Sequence, residues 1–172
     1  IMMTVGAAGG INTILRSILD PGDEVVLIAP YFAEYPFYVQ HQTGVIKTAT
    51  CDENWLPDIA SLESVIGPRT RALIINTPNN PTGKVFTRAE LTTIAELCQR
   101  WDVLAITDEI YEHIIYDDFE FSTIAEVETG LKHRTLTLNG MSKAFCMTGW
   151  RVGFAAGPKE LIKPITLVQS QS

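Results

Sequence analysis

Short apolar runs alternate with amphipathic stretches along the chain. Residues 25–28, 72–75, 103–106 and 135–138 form runs of β-branched and apolar residues that predict strands, and residues 152–156 form a further candidate. The first three runs are apolar throughout, which is typical of parallel strands that are buried on both faces. The pattern therefore favours a sheet with covered faces over a sheet with one face in solvent.

Helical patterns lie between these runs. Residues 12–19 place Ile14, Leu15, Ile18 and Leu19 on one face, and Asp20-Pro21-Gly22-Asp23 then predicts a stop and a turn. Thr87, with Glu90 three residues later, is a capping-box signature that predicts the start of another helix. Residues 57–66 and 158–168 are weaker helical candidates. The alternation predicts an α/β protein, a three-layer α/β/α sandwich with a mostly parallel sheet, with residues 1–172 in one domain.

Uncommon side chains follow the predicted strands. Asp108 and Tyr111 come after the third run, Lys143 after the fourth, and Asn80 after the second, while Arg151 precedes the last candidate strand. In parallel α/β sheets, ligands bind outside the carboxyl ends of the strands. Taken singly, these residues have ordinary explanations: an aspartate that caps a helix, a solvated lysine, and a turn at Asn-Pro-Thr-Gly.

As a set, these side chains match the needs of pyridoxal 5′-phosphate (PLP) chemistry. That cofactor needs a lysine amine for a Schiff base and a carboxylate that keeps the pyridine nitrogen protonated. It also needs hydrogen-bond donors for the ring oxygen, and an arginine and backbone N–H groups for the phosphate. The sequence therefore predicts a PLP site at this edge of the sheet.

Three motifs extend this prediction to a family. They are Asn-Asn-Pro-Thr-Gly at residues 79–83, Asp-Glu-Ile-Tyr-Glu at residues 108–112, and Ser-Lys-Ala-Phe-Cys-Met-Thr-Gly-Trp-Arg-Val-Gly at residues 142–153. In this order, the chain resembles the class I/II PLP-dependent aminotransferases of the aspartate aminotransferase type (PLP fold type I). The resemblance covers the whole chain but only the central, PLP-binding large domain of such an enzyme. It implies that an N-terminal segment and a C-terminal small domain of the parent enzyme lie outside these residues.

The resemblance assigns a role to each matching residue. Lys143 would form the Schiff base and then move a proton during the reaction, and Asp108 would hold the pyridinium nitrogen. Tyr111 and Asn80 would contact the ring oxygen, and Phe32 would stack on the ring. The phosphate would be bound by the following set: Arg151, Ser142, Gly6, and the backbone N–H groups of Ala7 and Ala8 at a helix start.

Two positions depart from the family pattern. Gly140 stands three residues before the lysine, where relatives often have a serine that touches the phosphate. Ala8 stands where many relatives have a side chain able to help bind it. We therefore expect phosphate binding to depend more on Arg151, Ser142 and backbone groups. The family's substrate-carboxylate arginine and a tyrosine from a partner subunit are expected outside this chain, so the isolated fragment is expected to bind PLP poorly and to be inactive.

The resemblance implies an enzyme that moves an amino group from an L-amino acid to a 2-oxo acid by a ping-pong mechanism, as a homodimer. Acidic and aromatic amino acids both remain open as substrates. Alternatives with the same fold are a β-lyase or decarboxylase, or a regulatory module that binds PLP without catalysis.

Charge and composition argue against several other kinds of partner and site. The net charge of −7 and the lack of a Lys/Arg run argue against a nucleic-acid partner. No stretch reaches the roughly 18 apolar residues of a membrane helix, so no membrane partner is expected. The three cysteines lack CxxC spacing, which predicts neither a zinc site nor a disulfide framework, and no metal ligand set is expected. The expected location is the cytoplasm.

Overall fold

A computed structural model describes residues 1–127 and 131–171. Its seven strands are β1 (Met2–Val5), β2 (Glu24–Ile28), β3 (Val45–Ala49), β4 (Thr70–Asn76), β5 (Leu104–Asp108), β6 (Thr135–Gly140) and β7 (Val152–Ala156). The helices are α1 (Gly6–Ile18), α2 (Tyr35–His41), α3 (Ile59–Val65), α4 (Arg88–Trp101), α5 (Ile124–Val127) and α6 (Lys159–Gln169). Short 3₁₀ turns lie at Lys132–Arg134 and Thr148–Trp150.

The strands form one sheet in the order β1-β7-β6-β5-β4-β2-β3. Every pair from β6 to β3 is parallel, whereas β7 is antiparallel to both of its neighbours. The sheet is therefore mostly parallel, as the sequence predicts.

Two apolar cores lie on opposite faces of this sheet, because successive strand residues point to opposite sides. In β4, Ala72 and Ile74 belong to the core that contains residues of α1, α2 and α6. Leu73 and Ile75 belong to the other core, which contains residues of α3, α4 and α5. This arrangement confirms the predicted three-layer α/β/α architecture.

The five predicted strands are all present, and the four predicted helical segments coincide with α1, α3, α4 and α6. The Thr87 capping box forms, with the Thr87 hydroxyl and the Glu90 carboxylate each accepting a backbone N–H. Helix α1 begins at Gly6, six residues before the start at Asn12 that the apolar periodicity predicts. Its first turn consists of glycine and alanine and carries no apolar periodicity, but the family resemblance implies a helix start at these residues.

Strands β1 and β3 and helices α2 and α5 were not predicted. The four residues of β1 alternate between buried and exposed positions, so they show no continuous apolar run. Strand β3 lies at the sheet edge, contains Lys47 and Thr48, and is largely accessible to solvent. Both are too short or too polar for recognition without their partner strands.

Strand register brings the chemically interesting segments together. Asn76 at the end of β4 lies opposite Asp108 at the end of β5. Because β7 runs antiparallel, it starts at this same edge, and Val152 pairs with Val5 at the end of β1. Gly6 and Arg151 are thereby neighbours across the sheet. Among the described residues, no helix is long and apolar enough to cross a membrane.

Candidate active site

A cavity of about 240 Å³ opens at the carboxyl edge of the sheet. Nine of the ten predicted site residues line it: Ala7, Ala8, Phe32, Asn80, Asp108, Tyr111, Ser142, Lys143 and Arg151. The tenth, Gly6, lies directly behind the Arg151 guanidinium. These residues come from segments up to 145 positions apart (6 to 151), so only the tertiary structure brings them to one place.

Asp108 supplies a buried carboxylate to the cavity wall. Its Oδ2 accepts a hydrogen bond from the Tyr35 hydroxyl at 2.7 Å, and its Oδ1 accepts one from the Ile110 backbone N–H at 3.3 Å. Burial raises the pKa of Asp108 above its usual range, and these two hydrogen bonds oppose that effect. Within the described part of the chain, no cation contributes to this balance. A cationic group in the cavity would therefore find an acidic partner that no protein cation neutralises.

Asn80 and Tyr111 lie on one side of the cavity, where the Asn80 Nδ2 donates to the Tyr111 hydroxyl at 3.4 Å. Asn76 holds this side to the sheet. Its Nδ2 donates to the Asp108 carbonyl oxygen at 2.9 Å, and its Oδ1 accepts from the Asn80 backbone N–H at 2.7 Å. The amide of Asn76 therefore locks the Asn-Pro-Thr-Gly loop to the strand end that carries Asp108.

Lys143 lies in the loop that follows β6. Its Nζ is 5.8 Å from the centroid of the Tyr111 ring, over the ring face. The preceding residue, Ser142, is buried and also lines the cavity. The Lys143 amine thus lies beside Tyr111 on a residue that lines the cavity, where a bound carbonyl compound could reach it.

Ala7, Ala8 and Arg151 line another part of the cavity, with Gly6 directly behind the Arg151 guanidinium. Helix α1 begins here. The first backbone N–H groups of a helix have no acceptor within it, and no side chain of the N-cap residue accepts from them here. The Arg151 guanidinium is anchored by a hydrogen bond from Nη1 to the Thr148 carbonyl oxygen at 3.1 Å. A helix N-terminus beside a guanidinium favours an anion such as a phosphate.

Two glycines allow this close approach. A Cβ on Gly6 would lie 2.6 Å from Arg151 Nη2, and the Gly6 φ of +68° is itself in the left-handed region. A Cβ on Gly153 would lie 2.6 Å from the carbonyl carbon of Gly6. The helix start, the guanidinium and β7 therefore pack together only because both positions lack a side chain.

Gly140 has a similar structural reason. A Cβ at this position would lie 2.7 Å from the Val152 carbonyl oxygen and 3.1 Å from the Gly153 Cα. Both neighbours are backbone atoms of β7, which cannot rotate away. The absence of the serine found in many relatives is thus enforced here by the tight pairing of β6 with β7, so no phosphate contact is expected from this position.

Phe32 lies on the cavity wall and packs edge-to-face against Tyr35, with ring centroids 5.5 Å apart. Tyr38 and Glu34 complete this wall, and the Tyr38 hydroxyl donates to the Glu34 carboxylate. An aromatic ring at this place can cover one face of a flat ligand.

Sequence reasoning missed the roles of Tyr35 and Asn76. The sequence assigns no role to Tyr35, but this side chain is fully buried and its hydroxyl donates a hydrogen bond to Asp108. Asn76 follows a predicted strand directly, and that position is the one signal that could have drawn attention to it. Neither side chain belongs to a motif, so their contacts follow only from the folded arrangement.

The donor set fits PLP. Among the described residues, no cation offsets the buried Asp108 carboxylate, which suits a pyridinium nitrogen. The helix start beside Arg151 suits a phosphate, and the Lys143 amine belongs to the same cavity lining. Asp108, Arg151 and Phe32 line the same cavity, and the Phe32 ring could cover one face of a flat ligand there. The cavity can therefore hold a flat, phosphorylated, cationic ring next to an amine.

Known proteins share this arrangement of sequence and fold. Residues 1–172 match the profile of the family described as aminotransferase class I and II. The chain is 46% identical over 175 aligned residues to the aspartate/prephenate aminotransferase of Cereibacter sphaeroides, covering 99% of this chain and 44% of that protein.

Solved structures agree with this match. A double mutant of the Thermus thermophilus aspartate aminotransferase superposes with a TM-score of 0.93 at 42% identity, over 99% of this chain and 44% of that one. The aromatic aminotransferase of Pyrococcus horikoshii OT3 superposes with a TM-score of 0.94 at 38% identity, over 99% and 46% of the two chains. The chain thus spans less than half the length of these relatives. With its motifs, fold and family profile in agreement, it belongs to the class I and II aminotransferases.

Proposed function

We propose that the protein containing this chain is a PLP-dependent aminotransferase, and that residues 1–172 form its PLP-binding large domain. The observation that carries the proposal is that Asp108, Lys143 and Arg151, from three separate segments at one edge of the sheet, line the same cavity. The chain covers 44% of the Cereibacter sphaeroides relative. We expect the substrate-carboxylate arginine and the partner contacts of a homodimer to lie outside residues 1–172.

Bound PLP would supply a carbonyl that takes up the substrate amino group, and a ring that accepts the electron pair left when the Cα–H bond breaks. The Lys143 amine would bind the cofactor covalently and, when displaced by substrate, would take the proton from Cα. Asp108 would keep a proton on the pyridine nitrogen, because its carboxylate is buried and no cation of the described residues offsets it.

The remaining residues would bind and orient. Arg151, the Ser142 hydroxyl and the N–H groups of Ala7 and Ala8 would hold the phosphate, with Gly6 leaving room for the guanidinium. Asn80 and Tyr111 would donate to the ring oxygen, and they already lie within hydrogen-bond distance of each other. Phe32 would stack on the ring.

The test uses the complete gene product that contains this chain. Incubation with PLP should produce a visible absorption band, and borohydride reduction should leave a cofactor adduct on the peptide that carries Lys143. Lys143→Ala should abolish both signals. Lys132→Ala, at the opposite end of β6, should keep them. An adduct that persists in Lys143→Ala would exclude Lys143 as the attachment residue.

Reaction type requires a product assay. We expect an L-amino acid and a 2-oxo acid to exchange their amino group through two half-reactions, with acidic and aromatic amino acids both in the panel. The names of the relatives, aspartate/prephenate and aromatic aminotransferase, support both classes. Release of ammonia with pyruvate, or of carbon dioxide, would point instead to a β-lyase or a decarboxylase. PLP binding with no turnover of any substrate would point to a regulatory module.

The proposed setting is the cytoplasm, with a small-molecule amino acid and oxo acid as partners. The net charge of −7 supports the absence of a nucleic-acid partner for this part of the protein.

A further inference from the structure

We propose that Tyr35 is a positioning residue that keeps the Asp108 carboxylate ionised and oriented towards the cofactor ring. The inference rests on the proposed function, and it assigns a task to a tyrosine that no motif contains. Its starting point is the hydrogen bond from the Tyr35 hydroxyl to Asp108 Oδ2 at 2.7 Å.

The Tyr35 hydroxyl has few alternatives as a donor. Tyr35 is 1% exposed, so its hydroxyl is shielded from solvent, and Asp108 is its hydrogen-bond acceptor. Burial first, and then the charge and the hydrogen bond of Asp108, raise the pKa of Tyr35 well above its usual value. Tyr35 therefore stays protonated at every working pH and acts as a donor, not as a base.

The carboxylate needs this donor because burial opposes its charge. Only the Tyr35 hydroxyl and the Ile110 N–H stabilise the charged form of Asp108 in the described part of the chain. The hydrogen bond from the Ile110 N–H to Asp108 Oδ1 is the longer of the two, at 3.3 Å. A protonated Asp108 could not hold a pyridinium, so the hydroxyl supports the charge on which cofactor chemistry depends.

The hydroxyl also orients the group. One hydrogen bond to each oxygen, from Tyr35 and from Ile110, fixes the plane of the carboxylate, and Asp108 also lines the cavity. The Tyr35 ring is itself held in place. Its centroid lies 5.5 Å from the centroid of the Phe32 ring, and it belongs to the apolar core that contains residues of α1. The titratable groups around its hydroxyl are Asp108, Tyr38 and Tyr111, and none of them is a cation.

The test compares Tyr35→Phe, which removes only the hydroxyl, with Tyr31→Phe, which makes the same change four residues earlier. Both are made in the complete gene product. In the apoprotein, the Asp108 carboxyl is titrated by NMR after ¹³C labelling of aspartate side chains, with Asp108→Asn to assign the signal. Tyr35→Phe should raise the pKa of Asp108, whereas Tyr31→Phe should leave it unchanged.

With PLP bound, two further readouts apply. Loss of a hydrogen bond to a charged group is expected to weaken PLP binding by about 10- to 100-fold. The pKa of the visible cofactor band should also move towards the value found in Asp108→Asn. In the Asp108→Asn background, Tyr35→Phe should add little to either effect, because the tyrosine acts through the carboxylate.

An unchanged Asp108 pKa in the Tyr35→Phe apoprotein would overturn the inference, and so would losses that add fully in the double variant. The apoprotein titration needs no cofactor, so it is separate from a failure of the proposed function. That failure would show as the absence of a PLP adduct on Lys143 in the unsubstituted protein.

Discussion

The Gly6→Ala substitution tests the phosphate end of the cavity most directly. Gly6 has a φ of +68°, where an alanine side chain costs about 1–2 kcal/mol of folding free energy. The added Cβ would also lie 2.6 Å from Arg151 Nη2, well inside van der Waals contact. The guanidinium is the end of a flexible side chain, so it would move aside, and the fold would survive.

The displaced guanidinium determines the size of the functional effect. A charge-assisted hydrogen bond contributes about 1.5–3 kcal/mol, so moving Arg151 away from the phosphate should raise the dissociation constant for PLP by about 10- to 100-fold. The assay is a PLP titration of the apoprotein, followed by absorbance, together with urea unfolding of the same protein. We expect both the affinity and the free energy of unfolding to fall.

Gly22→Ala separates these two effects. Gly22 also has a positive φ, +90°, but a Cβ there would have nothing within 4 Å, and it lies in the turn between α1 and β2. This variant should lose folding free energy while its PLP affinity stays the same. If Gly6→Ala binds PLP as tightly as Gly22→Ala does, Arg151 does not hold the phosphate from the position described.

Three further predictions concern stability. Burial raises the pKa of Glu109 from its ordinary value of 4.5 to about 7. The folded state therefore binds the proton more tightly than the unfolded state, and the free energy of unfolding should fall by roughly 3 kcal/mol as the pH rises from 4.5 to 7. Glu109→Gln should remove this part of the pH dependence in urea unfolding at pH 5 and pH 8, and an unchanged dependence would contradict it. Gly140→Ser should destabilise the protein by about 1–3 kcal/mol, because the new side chain would clash with the Val152 carbonyl oxygen, and it should not tighten PLP binding. Tighter PLP binding at an unchanged melting temperature would disprove the packing argument. Thr87→Ala should cost about 1 kcal/mol in thermal unfolding, because it breaks the capping box of α4, and Thr93→Ala on the exposed face should cost less; equal losses would argue against the cap.

Much of the fold can be derived from local pattern. Strands β2, β4 and β5 each contain a continuous apolar run, because both of their faces are buried. Such a run can be recognised in the sequence without knowledge of the partner strands. The start of helix α4 can be predicted from Thr87 and Glu90, because the hydrogen bonds of the capping box join residues that are close in sequence. Strand β3, by contrast, is an edge strand of mixed polarity, and only its pairing with β2 makes it a strand.

The candidate site divides in the same way. Lys143, Asp108 and Arg151 can be found in the sequence because their chemistry is uncommon and each follows or precedes a predicted strand. Their order along the chain also carries the family resemblance. The identity of the chemical groups at the site was therefore determined by the sequence itself.

The supporting contacts depended on the tertiary structure. Tyr35 reaches Asp108 across 73 positions, and Asn76 reaches it across 32, so no local pattern relates them. The need for glycine at residues 6, 140 and 153 arises from the antiparallel register of β7, which presses its backbone against β6 and against the start of α1. The sequence by itself determined which side chains carry the chemistry, because residue type is local. Only the tertiary structure decided what orients them and how closely they approach, because those contacts join segments that are distant along the chain.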